Sequence, residues 1–220
     1  MLQRIAVDRT TEGSHGIDMR PEGPMRDRDT LWADLATLFG EAGIHDIDLE
    51  RAVADEHVRL AGYLDVIAVV TADRCRDRDR AIVACIMRDP YGSAAKTAVV
   101  ALIDAVAQTM DEPDDFRGWT AGLVPEVDRL ATPHRTFVHR RIHDWTTYLT
   151  MAAGHTVLSA AELATLTDWM QRRIATESSS PVVLTLVADA GSTRKIRNIA
   201  RSRIARQAAA HGHETSSGTS

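Results

Sequence analysis

The chain has 220 residues, 44% of them hydrophobic and 26% charged, with a formal net charge of −5. This is the make-up of a globular protein able to bury a sizeable core, and its acidity argues against coating nucleic acid or membrane with the whole surface. The most apolar stretch, Ala94 to Met110, is interrupted by Lys96 and Asp104 and is too short to span a bilayer, so no membrane partner is expected.

Residues 1–28 mix Gly, Pro, Arg, Asp and Glu without periodicity and are expected to form a flexible arm. Helical spacing begins after Asp29-Thr30, where Leu31, Leu35, Leu38 and Phe39 recur and Gly40 or Gly43 supplies a stop. Asp48 fits an N-cap, and Leu49, Val53, His57, Leu60, Leu64 and Ile67 then fall on one stripe. The alternating charges of Arg76 to Arg80 mark a solvated junction. Ala81 to Met87 forms a short apolar helix that Pro90 ends. Ser93 is expected to cap a long helix through Met110.

Pro113, with acids around it, suits the first turn of a helix running to Leu130; Gly118, Gly122 and Pro125 are expected to shorten or kink it. Thr132-Pro133 opens another helix that Gly154 stops. Ser159 and Glu162 form a capping box for a helix through Ala175. Ser180 and Pro181 restart a short helix to Asp189, Gly191 turns the chain, and a basic helix follows over 193–207.

No stretch alternates as a strand with a partner would. The expected class is all-α, a multi-helix bundle with a C-terminal trihelical unit. The arm covers 1–28, the bundle body 29–155, the trihelical unit 156–207, and a disordered tail 208–220. Trp32, Trp119, Trp145 and Trp169 are spaced like one anchor per helix and read as core or helix-contact residues. Cys75 and Cys85 are too few for a disulfide framework and read as reduced, half-buried thiols of a cytoplasmic protein.

Gly191 to Gln207 carries six cations and no acid, so the rest of the chain sums to −11. On a helical wheel Ile196, Ile199, Ala200 and Ile204 gather on one side. Arg194, Arg197 and Arg201 lie opposite, with Asn198 and Ser202 beside them. Arginine and asparagine are the residue types that reach guanine and adenine edges, and arginine and lysine also grip phosphate. Two helices, a glycine turn and a basic third helix resemble the helix-turn-helix units of bacterial repressors. The resemblance covers only about the last fifty residues and implies that the final helix enters the major groove. Ile196 and Ile199 each sit one position early against that pattern, whose apolar positions fall here on Arg197 and Ala200.

The expectation is therefore a non-catalytic, duplex-DNA-binding regulatory protein contacting DNA through Arg194, Lys195, Arg197, Asn198, Arg201 and Arg206. The alternative is a helical adaptor whose basic helix docks an acidic protein partner or a second copy of itself.

His139 and His143 are one helical turn apart, and His57 could add a third nitrogen. An HxxxH with one remote histidine resembles the DinB-type metal-binding four-helix bundles, which would imply a metal enzyme. Arg140 and Arg141 flank the pair and discourage a cation, so exposed histidines without metal are the expectation. Asp111, Glu112, Asp114 and Asp115 read as helix-start acids. No phosphate-binding glycine loop, nucleophile elbow, HExxH or EF-hand pattern occurs, and no cofactor is expected.

Overall fold

The computed structural model describes residues 23–73 and 75–216, with side chains from 28 to 209. Eleven α-helices and no strand occur among the described residues: α1 Gly23–Glu41, α2 Leu49–Ala54, α3 Glu56–Ala72, α4 Asp79–Ile86, α5 Gly92–Ala107, α6 Pro113–Val127, α7 Thr132–Ala152, α8 Ala160–Thr165, α9 Asp168–Glu177, α10 Pro181–Ala190 and α11 Arg194–Ser216. The fold is all-α. No described helix is long and apolar enough to cross a membrane.

The bundle body is built around α5, which packs on α3, α4 and α7. Ala95, Ala98, Val99, Leu102, Ile103 and Val106 are fully buried along it, and their small or compact side chains let neighbouring helices approach closely. The C-terminal unit consists of α9, α10 and α11, each packed on the other two, with α8 against α10.

Several boundaries differ from the sequence expectation. Residues 23–28, expected in the arm, open α1; the rest of that arm lies outside the described residues. Gly43, at φ 73°, closes α1, the left-handed conformation that glycine adopts at low cost. Ser93 sits inside α5 and accepts the Thr97 hydroxyl through its carbonyl, while Tyr91 takes the N-cap position. Helix α6 contains Gly118, Gly122 and Pro125 without a break and ends at Val127, short of the expected Leu130. The helix expected over 159–175 divides at Leu166-Thr167, because the Thr167 hydroxyl caps a new helix by accepting the Met170 amide at 3.3 Å. Helix α11 continues through most of the expected tail to Ser216, and 217–220 lie outside the described residues.

The stripe expected on the second helix is also corrected. Asp48 caps α2 as anticipated, but Asp55 ends it and caps α3 through the His57 amide at 2.8 Å. The face buried on α3 is Arg59, Gly62, Tyr63, Val66 and Ile67, leaving His57 and Leu64 exposed. Arg59 can lie inside because Asp89 receives it. Arg59 Nε donates to Asp89 Oδ2 at 2.6 Å and Nη2 to Oδ1 at 3.2 Å, while Nη1 donates to the Ala52 carbonyl at 2.7 Å. The Tyr63 hydroxyl also donates to Asp89, at 2.9 Å; burial raises the phenol pKa well above its ordinary value and keeps it a donor. A Cβ on Gly62 would come within 2.6 Å of the Phe39 ring and the Ile47 side chain, so any larger residue there would have to displace both.

Asp79, expected in a solvated junction, is buried and accepts Trp119 Nε1 at 2.9 Å. Of the four tryptophans, Trp145 is buried and Trp119 half-buried, whereas Trp32 and Trp169 are partly exposed at 42% and 37%. Cys85 is half-buried as expected, and burial pushes its thiol up to about 11; Cys75 is exposed.

Candidate nucleic-acid interface

Helix α11 is seated by Ile196 and Ala200, both fully buried against α9 and α10, with Ile199 and Ile204 half-buried at the edges. Opposite, a stripe at four-residue spacing faces solvent: Arg194, Asn198, Ser202 and Arg206, with Lys195 beside it. With Ile199, these residues line a shallow depression of about 500 Å3.

Arg197 and Arg201 do not belong to the centre of that stripe. Arg197 is half-buried and donates through Nη1 to the Gly191 carbonyl at 2.6 Å. Arg201 donates through Nη2 to the Ala188 carbonyl at 2.9 Å. Both carbonyls lie at the C-terminal end of α10, where the helix leaves acceptors unpaired and its dipole favours cations. Arg203 Nη2 and Gln207 Nε2 similarly reach the Ser178 and Ser179 carbonyls after α9, each at 3.2 Å. Part of the basic run thus ties α11 to its neighbours. None of the six cations from Arg194 to Arg206 forms an ion pair with a described carboxylate. Their positive charge is not neutralised there.

The turn before α11 is held from α9. The Ser192 amide donates to Gln171 Oε1 at 2.8 Å, and the Ser192 hydroxyl to Asp168 Oδ1 at 2.6 Å. Gly191 has φ −57°, so it is not needed for a left-handed turn. It is needed for space, since a Cβ would stand 2.6 Å from the Val187 carbonyl oxygen. Gln171 and Asp168 escaped the sequence reading, although Gln171 is a polar residue on the stripe of Met170 and Ile174. That interruption was the available signal.

The unit joins the body through stacked rings and guanidinium groups. Trp145 of α7 and Trp169 of α9 meet edge to face at 5.8 Å; Arg141 lies 3.6 Å over Trp169, and Arg173 4.5 Å over Trp145. Asp104 accepts Trp145 Nε1 at 2.7 Å, and burial raises its carboxyl pKa against that hydrogen bond and nearby Arg141. Asp144, fully buried on α7, accepts the Thr167 amide at 3.0 Å. A cleft of about 540 Å3 lies beside Trp145, Tyr148 and Arg173, with Asp111, Glu112 and His155 also on its wall. Its Arg173 is paired with Glu177 at 2.9 Å.

The three histidines are not brought together as a ligand set. His57 is exposed beside Asp55, His139 Nε2 contacts Asp128 at 2.7 Å, and His143 Nε2 contacts the Thr165 hydroxyl at 3.0 Å. Among the described residues no group of three or more His, Cys, Asp or Glu side chains is placed to hold a metal ion. No protein-family model matches this chain, and neither a curated protein nor a solved structure matches it.

Proposed function

We propose that this chain is a duplex-DNA-binding protein of regulatory type, with the outward face of α11 as its contact surface. The observation that carries this is the exposed Arg194, Lys195, Asn198, Ser202 and Arg206 face, free of acids, on a helix whose opposite side is buried. A single helix with cationic and amide side chains outward has the shape and chemistry for a B-form major groove, which admits one helix. Arg194, Lys195 and Arg206 neutralise phosphate, and Asn198 faces the base edges between them. Arg197 and Arg201 contribute charge from the flank while holding the end of α10. The acidic remainder of the chain confines the contact to this face.

The test is binding of a fluorescent duplex across a salt series. Affinity should fall steeply with salt, and an Arg194→Ala/Lys195→Ala/Arg206→Ala variant should lose most of it while keeping its fold. Absence of any duplex binding by the native chain at low salt refutes the proposal. Co-purification of one stoichiometric acidic protein partner, without duplex binding, would identify the face as a protein-docking surface instead.

A further inference from the structure

The Asn198 side-chain oxygen lies within reach of Arg201, one turn further along the same helix. Arg201 Nη1 donates to Asn198 Oδ1 at 3.4 Å, while Nη2 of the same guanidinium is anchored on the Ala188 carbonyl at 2.9 Å. A guanidinium only donates, so its partner on the asparagine must be the carbonyl oxygen. The amide nitrogen is then turned to the other side. The planar fork thus links the end of α10 to one side chain of the exposed stripe.

We infer that Asn198 reads adenine in the major groove and that Arg201 is its positioning residue. This rests on the duplex-DNA reading of α11 given above. Adenine presents an acceptor at N7 and a donor at N6, and asparagine pairs with both at once, its amide nitrogen donating and its oxygen accepting. The Asn198 oxygen has two lone pairs; Arg201 takes one and leaves one for the adenine N6 amino group. Guanine presents acceptors at both positions, so the Asn198 oxygen would face an oxygen and that bond is lost. Arg201 keeps the asparagine from rotating to accommodate it.

Among the described residues nothing else along the stripe is held from a neighbouring helix. Arg206 Nε donates to the Ser202 carbonyl one turn back, at 3.3 Å, and Arg194 and Lys195 are exposed. Those long side chains suit phosphate, whose position tolerates a mobile cation, whereas a base edge rewards a short amide held in place.

The experiment is selection of the full chain on a pool of randomised duplexes, followed by affinity measurements on the selected duplex and its single substitutions. One position of the selected site should be fixed as A·T. Changing it to G·C should weaken binding about ten-fold. Asn198→Ala should bind both duplexes alike, at the affinity the native chain shows for the G·C form. Arg201→Lys has no planar fork with which to hold both carbonyls, and should reduce the A·T over G·C ratio to a few-fold at most. Thermal unfolding of both variants distinguishes this loss from a damaged fold.

Duplex binding without an adenine preference, or a preference that survives Asn198→Ala, overturns the inference and leaves the DNA reading standing. Loss of the ratio in Arg201→Lys only in step with unfolding overturns the positioning role. No duplex binding by the native chain overturns both.

Discussion

Gln171 of α9 and Ser192 of the turn before α11 are joined by a 2.8 Å hydrogen bond across 21 positions of sequence. The same buried glutamine donates through Nε2 to the carbonyls of Leu163 and Leu166, at 2.9 and 3.1 Å. One side chain therefore satisfies the end of α8 and fixes where α11 begins. The direction in which the basic face points is set by a residue outside that face.

Gln171→Leu keeps the volume but leaves the Ser192 amide and the two carbonyls without this partner. Stability should fall by about 2–3 kcal/mol. Urea denaturation followed by far-ultraviolet circular dichroism measures it, and an unchanged midpoint would show that the turn is held by other contacts.

The buried Arg59–Asp89 fork predicts a larger effect. Arg59→Ala leaves Asp89 as an uncompensated buried charge and frees the Ala52 carbonyl at the end of α2, so the loss should be about 3–5 kcal/mol. Tyr63→Phe removes one neutral donor to the same carboxylate but leaves the charge paired, and should cost about 1.5–3 kcal/mol. Equal effects in equilibrium denaturation would argue against Arg59 as the dominant partner.

Asp79 gives stability an inverted pH dependence. Burial raises its folded carboxyl pKa above the ordinary 3.8, outweighing the opposing effects of Arg76 and Trp119. The folded chain therefore holds this proton more tightly than the unfolded one. The contribution is fully present below pH 3.8 and is withdrawn as pH rises through the folded value. Asp79→Asn still accepts from Trp119 and cannot ionise. Its melting temperature relative to the native chain should be higher near neutral pH than at about pH 3.5. The opposite trend would mean that pairing with Arg76 outweighs burial.

The cations of α11 should separate into two kinds. Arg197 holds the Gly191 carbonyl, so Arg197→Ala should lower stability by about 1 kcal/mol. Arg194 is exposed, and Arg194→Ala should leave stability within about 0.5 kcal/mol while reducing the salt dependence of duplex binding by roughly one phosphate contact. Melting curves and a salt series on the two variants measure both quantities. Identical behaviour would show that the division seen in the structure has no energetic meaning.

Much of the helical layout was legible because its signals are local. Asp48 as an N-cap, the Ser159–Glu162 capping box, Pro113 at a helix start, Gly154 as a stop and Ser180 before α10 each act within a few residues. A hydroxyl or carboxylate bonding an amide two or three positions on needs no distant partner. The stripe of α3 was misjudged for the opposite reason. A sequence pattern counts arginine as polar and outward, and only Asp89, thirty residues away, makes Arg59 an inward residue. The break at Thr167 combines a local cap on the Met170 amide with a distant partner, buried Asp144 of α7, which takes the Thr167 amide and is not visible in the local pattern.

The sequence by itself determined an all-helical chain, an acidic body and a basic last helix, since composition, periodicity and charge are properties of the residues in order. It could not sort the cations of that helix. On a wheel Arg194, Arg197 and Arg201 share a side, and only the packing of α10 beside α11 assigns two of them to orphan carbonyls. The exposed stripe, the orientation of Asn198 and the anchoring of the turn at Gln171 were decided in the tertiary structure. Each depends on a carbonyl or amide that folding leaves unpaired and brings within about 3 Å of a side chain from another helix or another turn.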